Sequence, residues 1–423
     1  MKRIMINDIC EVYDGPHATP TKTEKGPVYL GIDAITEDGM LDETRFSHLS
    51  EDDYYKWTKR IIPQKNDIVF SYEATLGRYA MIPEDFYGCL GRRLAIIRNV
   101  SDRINTKWLY YYFKSPEWTG FIKNQTVKGS TVDRISIEDF PQYTVPLIPI
   151  HNQNKIVDVL DKIDCKIVNN RKINDYLDEM AKTIYDYWFV QFDFPDENGK
   201  PYKSSGGKMK YSSELDMNIP ISWDICTLKN HHTIDRGISY TSKDISEGTG
   251  TPMINLACID INRNYRDGQL KYYNNSVPTD KCLTGNELLI ACTDLTRNAD
   301  IVGSPILVPK ISNEMTYSMD MAKLNFDSNL FDKFYLYMTL RTEYYHNFIK
   351  KYASGTNVLH LNLDGLNWYT MWLPPLRLQY QFGDIINKIQ AKKNEVLYEN
   401  NQLAYLRDWL LPMLMNGQAT IEN

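Results

Sequence analysis

The sequence predicts an α/β (α+β) protein built twice over. Two similar mixed α/β domains are each followed by a long helix, and the two helices pair as an antiparallel coiled coil. Three observations predict this. The stretch GSTVDRISIEDFPQYTVPLIPIHNQNKI (129–156) returns without gaps as GTNVLHLNLDGLNWYTMWLPPLRLQYQF (355–382), at a constant offset of 355 − 129 = 226 residues. Each copy runs into a helix-period pattern with an apolar seam. The segments ahead of the two copies also correspond, strand for strand.

Within the repeated junction, Gly129/Gly355, Val132/Val358, Tyr143/Tyr369, Thr144/Thr370, Leu147/Leu373, Pro149/Pro375 and Gln153/Gln379 are identical. Apolar positions pair too, as Ile135/Leu361, Ile137/Leu363 and Phe140/Leu366. A period this long is too large for a solenoid and means two similar halves.

Ahead of the junction each half reads as short strands among turns. VYLGIDAI (28–35) has its counterpart in PMINLACI (252–259), and KNDIVFS (65–71) in GNELLIA (285–291), each with an acidic residue before an apolar strand. WLYYYFKSPEWTGFIK (108–123) and FYLYMTLRTEYYHNFIK (334–350) each read as an aromatic helix leading to the glycine turn. After the junction the seam of the first long helix runs through Leu160, Ile163, Asn174, Leu177 and Ile184, and that of the second through Ile386, Ile389, Asn400, Leu403 and Leu410. A lone helix of this kind exposes its seam, so each is expected to cover the other. The polar pair Asn174/Asn400 is expected to fix their alignment at some cost in stability. FPDENGKPYKSSGGKMKYSSE (194–214) is a connector by composition. The resulting boundaries are domain one at 1–150, long helix one at 151–190, connector and domain two at 191–371, and long helix two at 372–423.

Composition narrows the class. Hydrophobic residues make up 43% and charged residues 24%, ordinary values for a globular protein. No apolar run approaches the ~18 residues that span a bilayer, and MKRIMINDIC turns polar too early for a signal peptide. Seven cysteines without a C-x-x-C pair read as reduced thiols, so a cytoplasmic protein with no membrane partner is expected. The net charge of −6 argues mildly against a nucleic-acid partner, although charge can be local.

Catalytic patterns fail in turn. SSGGKMK (204–210) has the wrong spacing for a phosphate loop, and the Pro374-Pro375 pair belongs to no methyltransferase motif. PDENGK (195–200) lacks nuclease spacing, and His231-His232 has no second ligand pair nearby. The chain is expected to be no enzyme, with no catalytic and no metal site of its own.

The junction in both copies resembles the specificity (S) subunit of type I DNA restriction-modification enzymes. So do NIPISWDICTLKN (218–230), DGPHATP (14–20), FSYEATLGRYAMI (70–82) and RGISYTSKD (236–244), and the likeness spans the whole chain. The resemblance implies two target-recognition domains, each reading one half of a bipartite sequence in double-stranded DNA, with the helices as a ruler between them. It also implies two modification (methyltransferase) subunits bound along the helices, and restriction (translocase/nuclease) subunits. S-adenosylmethionine, ATP and Mg are then expected on those partners and no cofactor in this chain. A helix from about Asn152 to Trp188 would span ~55 Å, more than one turn of B-DNA at roughly 34–36 Å.

Base readout needs paired donors and acceptors, and phosphate contacts need Lys, Arg and small hydroxyls. In the first domain the polar loops offer His17, Thr19, Thr21, Lys22, Lys25, Thr75, Arg78, Lys128, Ser130 and Thr131. In the second they offer Arg236, Ser239, Tyr240, Thr241, Lys243, Thr296, Arg297, Asn298, Lys350, Lys351, Thr356 and Asn357. The alternatives are the recognition subunit of a methylation-only or other two-part restriction system, and a scaffold that binds only protein.

Overall fold

The computed structural model describes residues 2–128, 132–246, 248–296, 298–419 and 421. They form two compact units, Met1–Ile167 with Gln402–Asn423, and Val168–Asn401. Each long helix is therefore shared, one part belonging to each unit.

The first unit holds strands β1 (Arg3–Met5), β2 (Cys10–Asp14), β3 (Thr23–Leu30), β4 (Ser47–His48), β5 (Ile68–Ser71), β6 (Tyr79–Met81), β7 (Gly88–Leu90), β8 (Leu94–Asn99) and β9 (Thr144–Pro146). Its helices are α1 (Glu51–Trp57), α2 (Thr106–Phe113), α3 (Pro116–Gln125) and the start of α4 (Ile150–Tyr185). The main sheet is antiparallel in the order β2-β8-β5-β6; a smaller one runs β4-β3-β7, and β1 pairs with β9. Stacked and tilted rings of Phe70, Tyr79, Phe113, Trp118 and Phe140 fill the space between sheet and helices.

The second unit opens with β10 (Met209–Ser212) and β11 (Met217–Pro220), which pair as a hairpin, β10 inside the stretch read as a connector and β11 just beyond it. Then come β12 (Asp224–Thr227), β13 (His232–Arg236), β14 (Ile245–Ser246), β15 (Thr251–Ile254), β16 (Lys271–Tyr273), β17 (Leu288–Ala291), β18 (Thr293–Asp294), β19 (Pro305–Leu307), β20 (Thr316–Tyr317) and β21 (Met321–Phe326). β22 (Ala353–Ser354), β23 (Leu359–Leu361) and β24 (Thr370–Leu373) complete the strands; α5 (Lys333–Leu340), α6 (Glu343–Ile349) and α7 (Leu376–Met415) are its remaining helices. The order β13-β21-β17-β19 reproduces β2-β8-β5-β6. The parallel pair β15·β20 reproduces β3·β7, and β12·β24 reproduces β1·β9. Two mixed α/β halves, each joined to a long helix, are what the repeat predicted.

Local chemistry explains the shared punctuation. The acidic residue before the apolar strand closes a turn in both halves. Asp67 accepts from the Gln64 amide at 2.8 Å, and Glu287 from those of Thr284 and Gly285 at 2.8 Å each. Asn66 and Asn286 beside them take the left-handed conformation, at φ 69° and 67°.

Two sequence expectations need correction. Each aromatic stretch is two helices, not one. Ser115 caps α3 by accepting from the Trp118 amide, with Pro116 in its first turn, and Thr342 caps α6 through the Tyr345 amide. A capping hydroxyl offers the chain an alternative to continuing the helix, and so it breaks.

The second correction is the polar pair. In the second unit Asn170, not Asn174, donates to Asn400 at 2.9 Å and to Glu399 at 2.8 Å. Lys393 reaches Asp178 at 2.7 Å, so α7 runs backwards along α4 in that unit. In an antiparallel pair a repeat position meets its own copy only at the midpoint, and Asn174 lies one helical turn past Asn170, the residue that faces Asn400. The Asn174 Oδ1 is buried with no hydrogen-bond partner among the described residues.

Other seam residues pack as expected. Leu177, Ala181, Ile184 and Tyr185 share a core with Leu378, Phe382, Ile386 and Ile389 in the second unit. In the first unit Ile156, Val157 and Leu160 share one with Leu410, Leu411 and Leu414, and Arg407 pairs with Asp164 at 3.0 Å. Ile163 is buried, and Leu403 is half-buried.

Candidate nucleic-acid interface

Sheet topology decides which loops meet. β8 is antiparallel to both β2 and β5, so the ends of β2 and β5 and the beginning of β8 lie at one end of the sheet. The chain leaves or enters there at Asp14, Ser71 and Leu94. A fourth segment joins them: the Ala74 amide donates to the Asp133 carbonyl at 3.2 Å, the Ile135 amide donates to the Tyr72 carbonyl at 2.7 Å, and Arg134 bridges both Glu73 and Val127. Loops far apart in sequence thus form one surface.

Cations crowd this end of the first unit. Arg60 pairs with Asp14 at 2.5 Å, and Arg93 with Glu73 at 3.1 Å. Arg60, Arg92 and Arg134 are exposed. Tyr72 lies beneath; burial, then the charges of Asp14 and Glu73, push its hydroxyl above the usual tyrosine value. Gly15 is required where β2 ends, because a Cβ there would stand 2.8 Å from the Gly91 carbonyl oxygen.

Of the residues read from sequence, His17 sits at this end, exposed and 3.0 Å from Asp14. Thr75 is half-buried on the loop after β5, and its carbonyl accepts from the Ser71 hydroxyl. Lys128 is exposed directly after the bridging Val127. Arg78 is already engaged, its guanidinium bonding the Ile35 carbonyl and Glu37 at 3.0 Å each. Thr19, Thr21 and Lys22 are exposed on the way into β3, and Lys25 lies in β3, on the smaller sheet. Ser130 and Thr131 fall outside the described residues.

The second unit builds the equivalent end from β13, β17 and β21. The Gly237 amide donates to the Met321 carbonyl at 3.1 Å and the Cys292 amide to the Asp320 carbonyl at 2.7 Å. What was a pair of bridges in the first unit is here a small sheet, with Thr293 opposite His360 and His360 opposite Ser354. Arg236 is exposed at the end of β13. The following turn is stiff: Thr241 exchanges bonds with Asp244, whose carboxylate those bonds hold below its usual range. Tyr240 accepts from Lys271 at 2.6 Å, while Ser239 and Lys243 stay exposed. Buried Asp294 accepts from the amides of Thr296, Ile301 and Val302 and so shapes the loop that carries half-buried Thr296 and exposed Asn298. Lys350 is half-buried; Lys351, Thr356 and Asn357 are exposed around β22. Arg297 falls outside the described residues.

Arg60, Arg92, Arg134 and His360 were not singled out from the sequence. Arg134 and His360 carried a usable signal, since they are 360 − 134 = 226 residues apart inside the repeated junction. Arg60 carried none, because only the tertiary fold brings it to Asp14.

Residues 1–179 match the family model of the type I restriction modification DNA specificity domain. The type I restriction enzyme MjaIX specificity subunit of Methanocaldococcus jannaschii is 23% identical over 371 residues, covering 86% of this chain and 79% of that protein. Over most of its length the chain is thus similar to type I restriction specificity subunits, and its first 179 residues carry the match to that domain. The HindI specificity subunit of Haemophilus influenzae is likewise 23% identical, over 402 residues, 84% of this chain and 87% of that one. The crystal structure of a type I system S subunit from M. genitalium has the same fold, with a TM-score of 0.50 at 15% identity over 98% of this chain and 95% of that chain. In this chain no described helix is long and apolar enough to cross a membrane. Among its described residues no group of three or more His, Cys, Asp and Glu gathers as a metal set.

Proposed function

We propose that this chain is a specificity subunit that reads double-stranded DNA twice, one half of a bipartite target at each of the two equivalent sheet ends. The observation that carries the reading is the repetition itself: the same strand order twice, each with polar and cationic loops gathered at the same end. Arg60, Arg92 and Arg134 in the first unit, and Arg236 with the lysines near β22 in the second, suit phosphate positioning; the hydroxyls and amides beside them suit base edges. A local cationic surface of this kind reconciles DNA binding with an acidic chain.

The subunit does no covalent chemistry in this reading. Two modification subunits lie along the long helices, bring S-adenosylmethionine and methylate adenine; restriction subunits bring ATP and Mg and cut. Large apolar side chains left exposed on the helices support a protein partner there: Tyr176 and Met180 on α4 in the second unit, and Tyr405 and Trp409 on α7 in the first.

The test is genome-wide methylation mapping in a host that expresses this chain with its modification subunit. A bipartite motif with one methylated adenine in each half is expected. A contiguous motif, or none in a host where the complex assembles, overturns the proposal.

A further inference from the structure

Gln153 and Gln379, both on the first turn of a long helix and both fully buried, make the same three hydrogen bonds. The Gln153 Oε1 accepts from the Asn105 amide at 2.7 Å, and its Nε2 donates to the carbonyls of Arg103 at 3.1 Å and Ile148 at 2.8 Å. The Gln379 Oε1 accepts from the Asp332 amide at 2.9 Å, and its Nε2 donates to the carbonyls of Leu330 at 3.1 Å and Pro374 at 2.8 Å. Asn105 and Asp332 are the N-caps of α2 and α5. Each glutamine therefore ties three pieces together: the helix it belongs to, the chain that enters it, and the cap of the aromatic helix in its own domain.

The chemistry admits few substitutes. The site needs one acceptor and two donors on a three-carbon reach; glutamate lacks the donors and asparagine is too short. Both neighbourhoods have diverged, since Asn105 is replaced by Asp332 and Ile148 by Pro374, yet the glutamine remains. In the second unit the helix also approaches closely enough that a Cβ on Gly383 would stand 2.5 Å from the Asp332 carboxylate.

We propose that Gln153 and Gln379 are positioning residues that aim each long helix from its recognition domain, and so govern which half-site spacing is accepted rather than which bases are read. The inference rests on the function proposed above. α4 has 36 residues, a lever of ~54 Å at ~1.5 Å per residue. A tilt of about 5° at its first turn moves the far end by ~5 Å, more than the ~3.4 Å rise of one base pair.

The experiment is methylation mapping with the full chain and its modification subunit, comparing wild type with Gln153→Met and Gln379→Met. Methionine keeps the length of the side chain and removes all three bonds. Both half-site sequences should persist, while methylation at sites with a spacer one base pair too long or short should rise about tenfold, the size of one discriminating interaction. Ile97→Ala, in the buried core of the first unit, is the control for stability alone. If it relaxes the spacer as much at an equal drop in melting temperature, the glutamines only stabilise, and the proposal falls. It falls too if the spacer stays strict in the Met variants, if a half-site changes, or if neither variant folds. A wild type without a bipartite motif would instead sink the functional reading.

Discussion

Replacing Asn400 by leucine removes the oxygen to which Asn170 donates at 2.9 Å, while the Asn170 amide keeps its 2.8 Å bond to Glu399. One net hydrogen bond disappears, worth about 1 kcal/mol. Asn170→Leu is harsher. It leaves the Asn400 oxygen, in a side chain only 6% exposed, without that donor, at about 1–3 kcal/mol for an unsatisfied buried group. The double variant leaves neither amide behind and buries two leucines in a seam that is apolar on both sides, each worth up to ~1.5–3 kcal/mol. The double should therefore cost at least about 1 kcal/mol less than the two single costs added together, and it should approach wild-type stability. Urea unfolding of the four proteins reads this as a coupling energy, and melting should shift by roughly 2–4 °C per kcal/mol for a unit of this size. Single costs that add to within about 0.5 kcal/mol would show that the two asparagines do not act as a pair.

Other consequences are open to the same kind of measurement. Changing Arg60, Arg92 and Arg134 together to glutamine should lower the slope of log Kd against log salt by up to about 0.9 for each phosphate left without its cation; an unchanged slope places the phosphates elsewhere. Asp178→Ala strands Arg341 and Lys393, each 16% exposed and bonded to it at 3.2 and 2.7 Å. It should cost about 3–5 kcal/mol in urea, and a loss under about 1 kcal/mol would show the network to be dispensable. Four residues inserted into α4 near Asn170, and four into α7 near Asn400, should lengthen the unspecific spacer by one or two base pairs, since four residues rise ~6 Å and rotate the face only ~40°. The same insertion in α4 alone should fail, because it displaces one set of helix partners while α7 holds the other. An unchanged spacer in the active double insertion would mean that the helices do not measure it.

The sequence was most informative where one physical rule acts alone. The repeat fixed the existence of two equivalent sheets because identical glycines, prolines and apolar alternation leave the chain little choice. It misled where two rules compete. Trp108 to Lys123 read as one aromatic helix, and a capping hydroxyl at Ser115 outweighed helix propensity. Asn174 carries the right residue type, but helix direction decides what it faces, and direction is tertiary. At the candidate interface the loops themselves were legible from their glycines and hydroxyls. Their meeting point was not, because Arg60 and Arg92 reach it only through the order of strands. Arg78 shows the converse: an arginine on a polar loop whose guanidinium is already taken by Ile35 and Glu37.

Every partner of Gln153 and Gln379 is a main-chain group. The long helices thus grip their domains by features that every amino acid but proline, which lacks the amide hydrogen, possesses, and this grip is otherwise blind to side-chain identity. Mutations in the surrounding loops can accumulate without loosening it, provided the backbone path survives. Such a socket lets the reading surface drift while its mount stays constant, and it sets a rule for building chimaeras. A grafted domain must bring the backbone at positions 103, 105 and 148 in its native course, whatever residues it places there, save proline at 105.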